Sequence, residues 1–140
     1  MLGRKVYLIL SFIFIGIIAI ALSFYLYNKP HVNIQKTDAD YHLSAQQLIR
    51  DYEDFEIESN KKYSERLIEV EGQIHEVSTL RGNMVIALKP ANSPSSVICH
   101  MLPEESEKVL MLKKGQIIKI KGKCTGYLLD VIMVRCILVQ

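Results

Sequence analysis

The stretch Gly115–Cys136, GQIIKIKGKCTGYLLDVIMVRC, changes character with a period of two. Ile118, Ile120, Gly122 and Cys124 share one face of an extended chain and Lys119, Lys121 and Lys123 the other, because successive strand side chains point to opposite sides. DVIMVRCILVQ, Asp130–Gln140, reads as a further strand. The chain must reverse near Tyr127–Asp130, with Gly126 supplying backbone freedom beside the turn. A hairpin centred there sets Cys124 opposite about Met133 and Cys136 near Lys121. The two cysteines are then out of register, beyond the roughly 4.4–6.8 Å between Cα atoms that a disulfide spans.

Working outward, RLIEVEGQIHEV (Arg66–Val77) shows the same period, with Ile68, Val70, Gly72 and Ile74 on one face and Leu67, Glu69, Glu71 and Gln73 on the other. Arg81-Gly82-Asn83 marks a turn, MVIALK a second strand, Ala91-Asn92-Ser93-Pro94 a second turn, and SSVICHM a third strand. Pro103-Glu104-Glu105 opens a short helix through Leu112, and Lys113-Lys114-Gly115 closes it, each residue type at the helix end that favours it. Three strands, a helix and two strands within residues 63–140 are the element order of the OB-fold, a five-stranded Greek-key barrel. In such a barrel the first strand pairs with the fourth. Glu69 and Glu71 then face Lys119, Lys121 and Lys123, each pair contributing a few tenths of a kcal/mol.

Residues 43–62 precede the barrel as an amphipathic helix. Ser44 and Gln47 make a capping box, and Leu48, Tyr52, Phe55 and Ser59 share a face. Its exposed side is acidic, which suits packing on the barrel rather than lying on a membrane. Residues 28–42 lack periodicity and read as a spacer. Residues 6–27, VYLILSFIFIGIIAIALSFYLY, carry no charge and are long enough to span a bilayer, so they read as a transmembrane anchor. Arg4 and Lys5 place residues 1–5 in the cytoplasm and the remainder outside it, in the periplasm, as a single-pass membrane protein. The alternative is a cleaved signal peptide, for which Ala19-Ile20-Ala21 and Ala21-Leu22-Ser23 offer small-residue sites; the unbroken apolar run through Tyr27 argues for retention.

The LSAQQL helix, KYSERLIEVEGQI and above all the KGxCTGYxxDV pattern at Lys121–Val131 resemble the tRNA_anti-like family of small OB-fold proteins, found mainly in Bacteroidetes and often behind one hydrophobic segment. The resemblance runs from about Leu43 to Val139 and implies the fold, with no settled activity and no motif residue of assigned role. Phe55 and Ser59 depart from the family's small polar residue and alanine, and local repacking is expected there.

Arg4 and Lys5 account for the whole formal excess of +2, so the part beyond the apolar segment is charge-balanced. Nucleic-acid binders carry a basic excess and, in OB-folds, aromatic residues on the second and third strands. MVIALK and SSVICHM contain no Phe, Tyr or Trp, so nucleic acid is disfavoured. OB barrels also bind oligosaccharides and proteins through the loops after the first and fourth strands. Those loops are Ser78–Asn83 and Thr125–Leu129, making Arg81 and Tyr127 the candidate ligand-binding residues, with packing over a barrel end as the other reading of Tyr127. His31, His42, His75 and His100 are scattered and none stands at metal-ligand spacing from a cysteine, so no metal or cofactor is expected. Cys99 and His100 are adjacent, but alternation sends them to opposite faces, and no catalytic residue is assigned. Barrel topology brings Cys136 beside Cys99, the pair expected to bond if an oxidising compartment forms any disulfide. The expectation is thus a non-catalytic module binding an envelope glycan or small ligand. The alternative is a structural or protein-interaction subunit of an envelope complex. A groove shared by Arg81 and Tyr127 favours the first, and a broad exposed apolar patch the second.

Overall fold

The computed structural model describes residues 2–28 and 33–140, in two units divided between Val32 and Asn33. Lys29, Pro30, His31 and Val32 of the expected spacer lie outside the described residues. Helix α1 is Leu2–Tyr27, and its Gly3–Tyr27 portion is apolar enough and, at about 1.5 Å per residue, long enough to cross a membrane. A membrane anchor and an N-terminal signal both answer that description.

The second unit contains β1 (Tyr41–Ser44), α2 (Ala45–Asp54), α3 (Glu56–Tyr63), β2 (Leu67–Leu80), β3 (Asn83–Leu88), β4 (Val97–Met101), a 3-10 turn at Pro103–Glu105, α4 (Ser106–Leu110), β5 (Ile117–Tyr127) and β6 (Val131–Val139). β2 pairs antiparallel with β3 and, through its first half, with β5. β3 and β4 are antiparallel, as are β5 and β6, and the parallel β4–β6 pairing completes the ring. The result is a closed five-stranded OB barrel. Ile68, Val70, Ile74, Ile120 and Cys124, all from the inward positions of the period-two pattern, are buried with Ile86, Val97, Cys99, Met133 and Cys136. Cys124 pairs with Met133, and Glu71 with Lys119, as the alternation requires.

Two glycines on the inward faces set how closely elements approach. A methyl group on Gly72 would lie 2.9 Å from Cβ of Ala45 at the start of α2, and one on Gly122 would lie 2.5 Å from Sγ of Cys136. Neither space accepts a side chain without movement of its neighbours. Near the C-terminal end of β6 the buried Glu105 carboxylate accepts the Leu138 N–H at 3.0 Å and the Lys108 ammonium at 3.1 Å, satisfying both oxygens.

Three local features differ from the sequence expectations. Within the expected spacer, Tyr41 and His42 belong to β1, which runs parallel to β2 from Tyr41↔Ile68 to Ser44↔Glu71. Asp40 anchors it, its N–H donating to the Leu67 carbonyl at 2.7 Å while its carboxylate accepts the Leu67 N–H at 3.1 Å. A four-residue strand held by a distant partner leaves no periodic signal of its own. The single helix expected over 43–62 is two helices meeting at Phe55, whose backbone (φ −142°, ψ 65°) is not helical. Leu48, Tyr52 and Ser59 are buried as their spacing requires, whereas Phe55 is 65% exposed because the break turns it off the shared face. Ser59 donates its hydroxyl to the Asp51 carbonyl at 2.7 Å across the break, so the two departures from the family pattern sit at the same bend. The Lys–Glu rows also pair less regularly than alternation alone implies. Lys119 meets Glu71 at 3.6 Å, Lys123 pairs with Glu65, Glu69 faces His42 at 3.5 Å, and Lys121 donates to the Thr37 carbonyl at 3.0 Å.

Candidate ligand-binding face

The two candidate residues lie at opposite ends of β4. At its first end, Ser95 lies 3.4 Å from the Tyr127 hydroxyl, and Asp130 accepts the Ser96 N–H at 2.6 Å. At its last end, Met101 and Leu102 border the Arg81 turn. Arg81 and Tyr127 therefore share no groove.

The Tyr127 end is filled. Tyr127 stacks on Tyr52 with ring centroids 5.5 Å apart and planes 20° from parallel. Tyr52 places its hydroxyl 3.4 Å from Cys124 Sγ, and Tyr63 donates to Asp51 at 2.6 Å. Burial first, then these partners, raise the Tyr52 and Tyr63 phenols above their ordinary values. Burial likewise raises the Cys124 thiol, and raises Cys136 further still with Cys99 beside it. Such thiols are held neutral and unreactive. Cys99, Cys124 and Cys136 are free thiols here; Cys99 and Cys136 occupy adjacent, paired strands, the arrangement expected for this couple.

The Arg81 end is open. β2 continues to Leu80 and β3 begins at Asn83, so the expected Ser78–Asn83 loop is only Arg81-Gly82. Both turn residues have positive φ, 51° and 83°, the signature of the tight hairpin turn that matches strand twist. Beside this turn is a cleft of about 450 Å³ lined by Leu80, Arg81, Asn83, His100, Met101, Leu102, Pro103 and Arg135. Among the described residues no carboxylate lines it. Sequence reasoning missed Arg135. The residue stands in β6 where pairing slips against both β4 and β5, and its φ of 54° puts it in the left-handed region that favours glycine. A strand interior of alternating apolar residues gives no signal for such a bulge. His100, outward as the alternation predicts, contributes an imidazole to the same cleft. Among the described residues neither Arg81 nor Arg135 takes part in an ion pair.

A separate cleft of about 540 Å³ lies between α4, the start of β5 and the end of β6, lined in part by Met111, Ile117, Ile118, Leu138 and Val139. Met111 is 82% and Ile117 68% exposed. Among the described residues no group of three His, Cys, Asp or Glu side chains is arranged to hold a metal.

A closed five-stranded barrel of this strand order, with an open cleft at one end of its second and third strands, defines an OB-fold domain. The chain belongs to the tRNA_anti-like family, whose model matches residues 1–138. No curated protein matches it in sequence. Among solved structures it is similar to a lipoprotein of Klebsiella pneumoniae whose provisional name calls it nucleic acid-binding, at 13% identity and a TM-score of 0.59, over 70% of this chain and 91% of that one. More distant likenesses include the Stn1–Ten1 complex of S. pombe (12% identity, TM-score 0.43, 53% and 58% of the two chains). Asparaginyl-tRNA synthetase from Pyrococcus horikoshii is another (9%, 0.42, 56% and 20%). At these identities the likeness concerns the fold.

Proposed function

We propose that the chain is a non-catalytic OB-fold module, anchored in a membrane through residues 6–27 with its barrel on the extracytoplasmic side, that binds an envelope glycan or small ligand at the Arg81 end of the β3–β4 face. The observation that carries the reading is the cleft lined by Arg81, His100 and Arg135 with no acidic residue among its described lining, at the barrel position where OB-folds take ligands. The absence of Phe, Tyr and Trp from β3 and β4 argues against base stacking, and hence against single-stranded nucleic acid. The full chain in detergent micelles, applied to an array of envelope-type oligosaccharides, tests the reading. Retention on a subset of sugars is the expected result, and retention on none overturns it.

The alternative, a protein-interaction subunit, draws on the exposed apolar cleft around Met111 and Ile117. It requires one stoichiometric protein partner recovered with the anchored chain and lost when Ile117→Asp is introduced.

A further inference from the structure

We infer that the cleft between the Arg81–Gly82 turn and Arg135 selects a saccharide bearing an oxyanion group, gripped between the two guanidinium groups. The inference rests on the binding-module reading above and names the ligand class for that site.

The first argument is electrostatic. Charge beyond the apolar segment is balanced, and three of its lysines sit in local pairs, Lys119 with Glu71, Lys123 with Glu65 and Lys108 with Glu105. What sets Arg81 and Arg135 apart is that they border one cleft, with no acidic residue among its described lining. A confined positive site on a balanced surface suits a ligand with a few charges. A long polyanion would need a basic track, because its affinity comes from neutralising many phosphates.

The second argument is the backbone. Both arginines have φ near +50°, a region where a residue other than glycine or asparagine is held at a cost of about 1–3 kcal/mol. At position 81 the turn geometry is best served by Asn-Gly. At position 135 the bulge interrupts pairing with two strands and re-aims the side chain. Of the three non-glycine residues with positive φ, Glu65, Arg81 and Arg135, the two arginines, one in a turn and one in β6, border one cleft although they are distant in sequence.

The third argument is chemical fit. Guanidinium is a planar fork that meets a carboxylate, sulfate or phosphate through two parallel hydrogen bonds. Leu80, Met101, Leu102 and Pro103 supply an apolar floor for the C–H face of a sugar ring. Asn83 and His100 supply polar atoms for its hydroxyl groups. The volume, about 450 Å³, lies within the usual range for small-ligand sites and leaves room for a short ligand only.

The test uses the full chain in detergent micelles and titrates four probes: a galacturonate hexasaccharide, a sulfated hexasaccharide, neutral maltohexaose, and a twelve-residue oligothymidylate. Arg81→Asn and Arg135→Asn remove the charges while installing a residue that tolerates positive φ, so the fold is spared. The expected result is binding of at least one charged hexasaccharide tenfold or more tighter than maltohexaose, weakened by salt and reduced about tenfold by either variant. Which charged sugar binds distinguishes a carboxylate from a sulfate source. Equal binding of charged and neutral sugars overturns the inference while leaving the binding-module reading standing. No binding of any saccharide overturns that reading too, and tighter binding of the oligothymidylate replaces the ligand class with nucleic acid. Should Arg135→Asn lose its fold, Arg81→Asn alone decides, since its side chain is exposed on a two-residue turn.

Discussion

The two ends of strand β4 are built on opposite principles. Around Ser95, Tyr127 and Asp130 the aromatic rings stack, the phenols find partners, and the neighbouring cysteines are buried. Around Met101, Arg81 and Arg135 two arginines border a cleft, and both hold positive φ. The difference teaches that two equivalent loop positions of an OB barrel can differ in how far their side chains are already engaged by the fold. Tyr127 and Arg81 are equally plausible from their place in the chain, and what separates them is whether their chemistry is already satisfied within the fold.

The comparison breaks most readily in the packed half. Gly122→Ala puts a methyl 2.5 Å from Cys136 Sγ and 3.1 Å from the Val134 carbonyl, and a loss of about 3 kcal/mol is expected in thermal or urea denaturation of the full chain. A wild-type melting curve would mean that the barrel does not close as described. Tyr127→Ala removes the ring stacked on Tyr52 and is expected to cost about 2 kcal/mol of stability while leaving saccharide affinity unchanged, measured on the same samples. A loss of affinity at unchanged stability would return Tyr127 to the ligand site. At the open end, Arg81→Asn reverses the pattern. Stability holds or rises by a few tenths of a kcal/mol, and ligand affinity falls about tenfold, or about 1.4 kcal/mol.

The smallest effect at neutral pH is the alkaline one. Cys124, Cys136, Tyr52 and Tyr63 hold their protons more tightly folded than unfolded. Above the ordinary thiol range, near pH 8.5, the unfolded state therefore binds fewer protons than the native one, and stability falls as pH rises. Their contribution is fully present below that range. Melting temperature is expected to be insensitive to these groups at pH 7 and to decline toward pH 11, with a shallower decline in Tyr52→Phe. A melting temperature that rises with alkali would contradict the burial of these groups.

Much of this architecture is visible in the chain because it depends on local alternation. Ile68, Val70, Ile118 and Ile120 declare their faces, and the turn before Val131 sets Cys124 against Met133. What stays hidden depends on partners far away in sequence. Tyr41–Ser44 is a strand only because β2 offers it an edge, and Phe55 leaves the shared face only because the helix breaks beneath it. The site divides in the same way. Arg81-Gly82 reads as a turn from residue type alone, whereas Arg135 sits in an apolar run and reaches the cleft through a slip of register.

The Arg81–Gly82 turn also makes the molecule locally frustrated, in the sense that the residue best for the backbone is not the one present. A library randomised at positions 81 and 135 and selected for heat resistance alone should drift toward asparagine or glycine at both, because such selection is blind to what the cleft holds. Selection for ligand retention should restore arginine. The gap between those two populations would measure how much stability this fold surrenders to keep its charges in place.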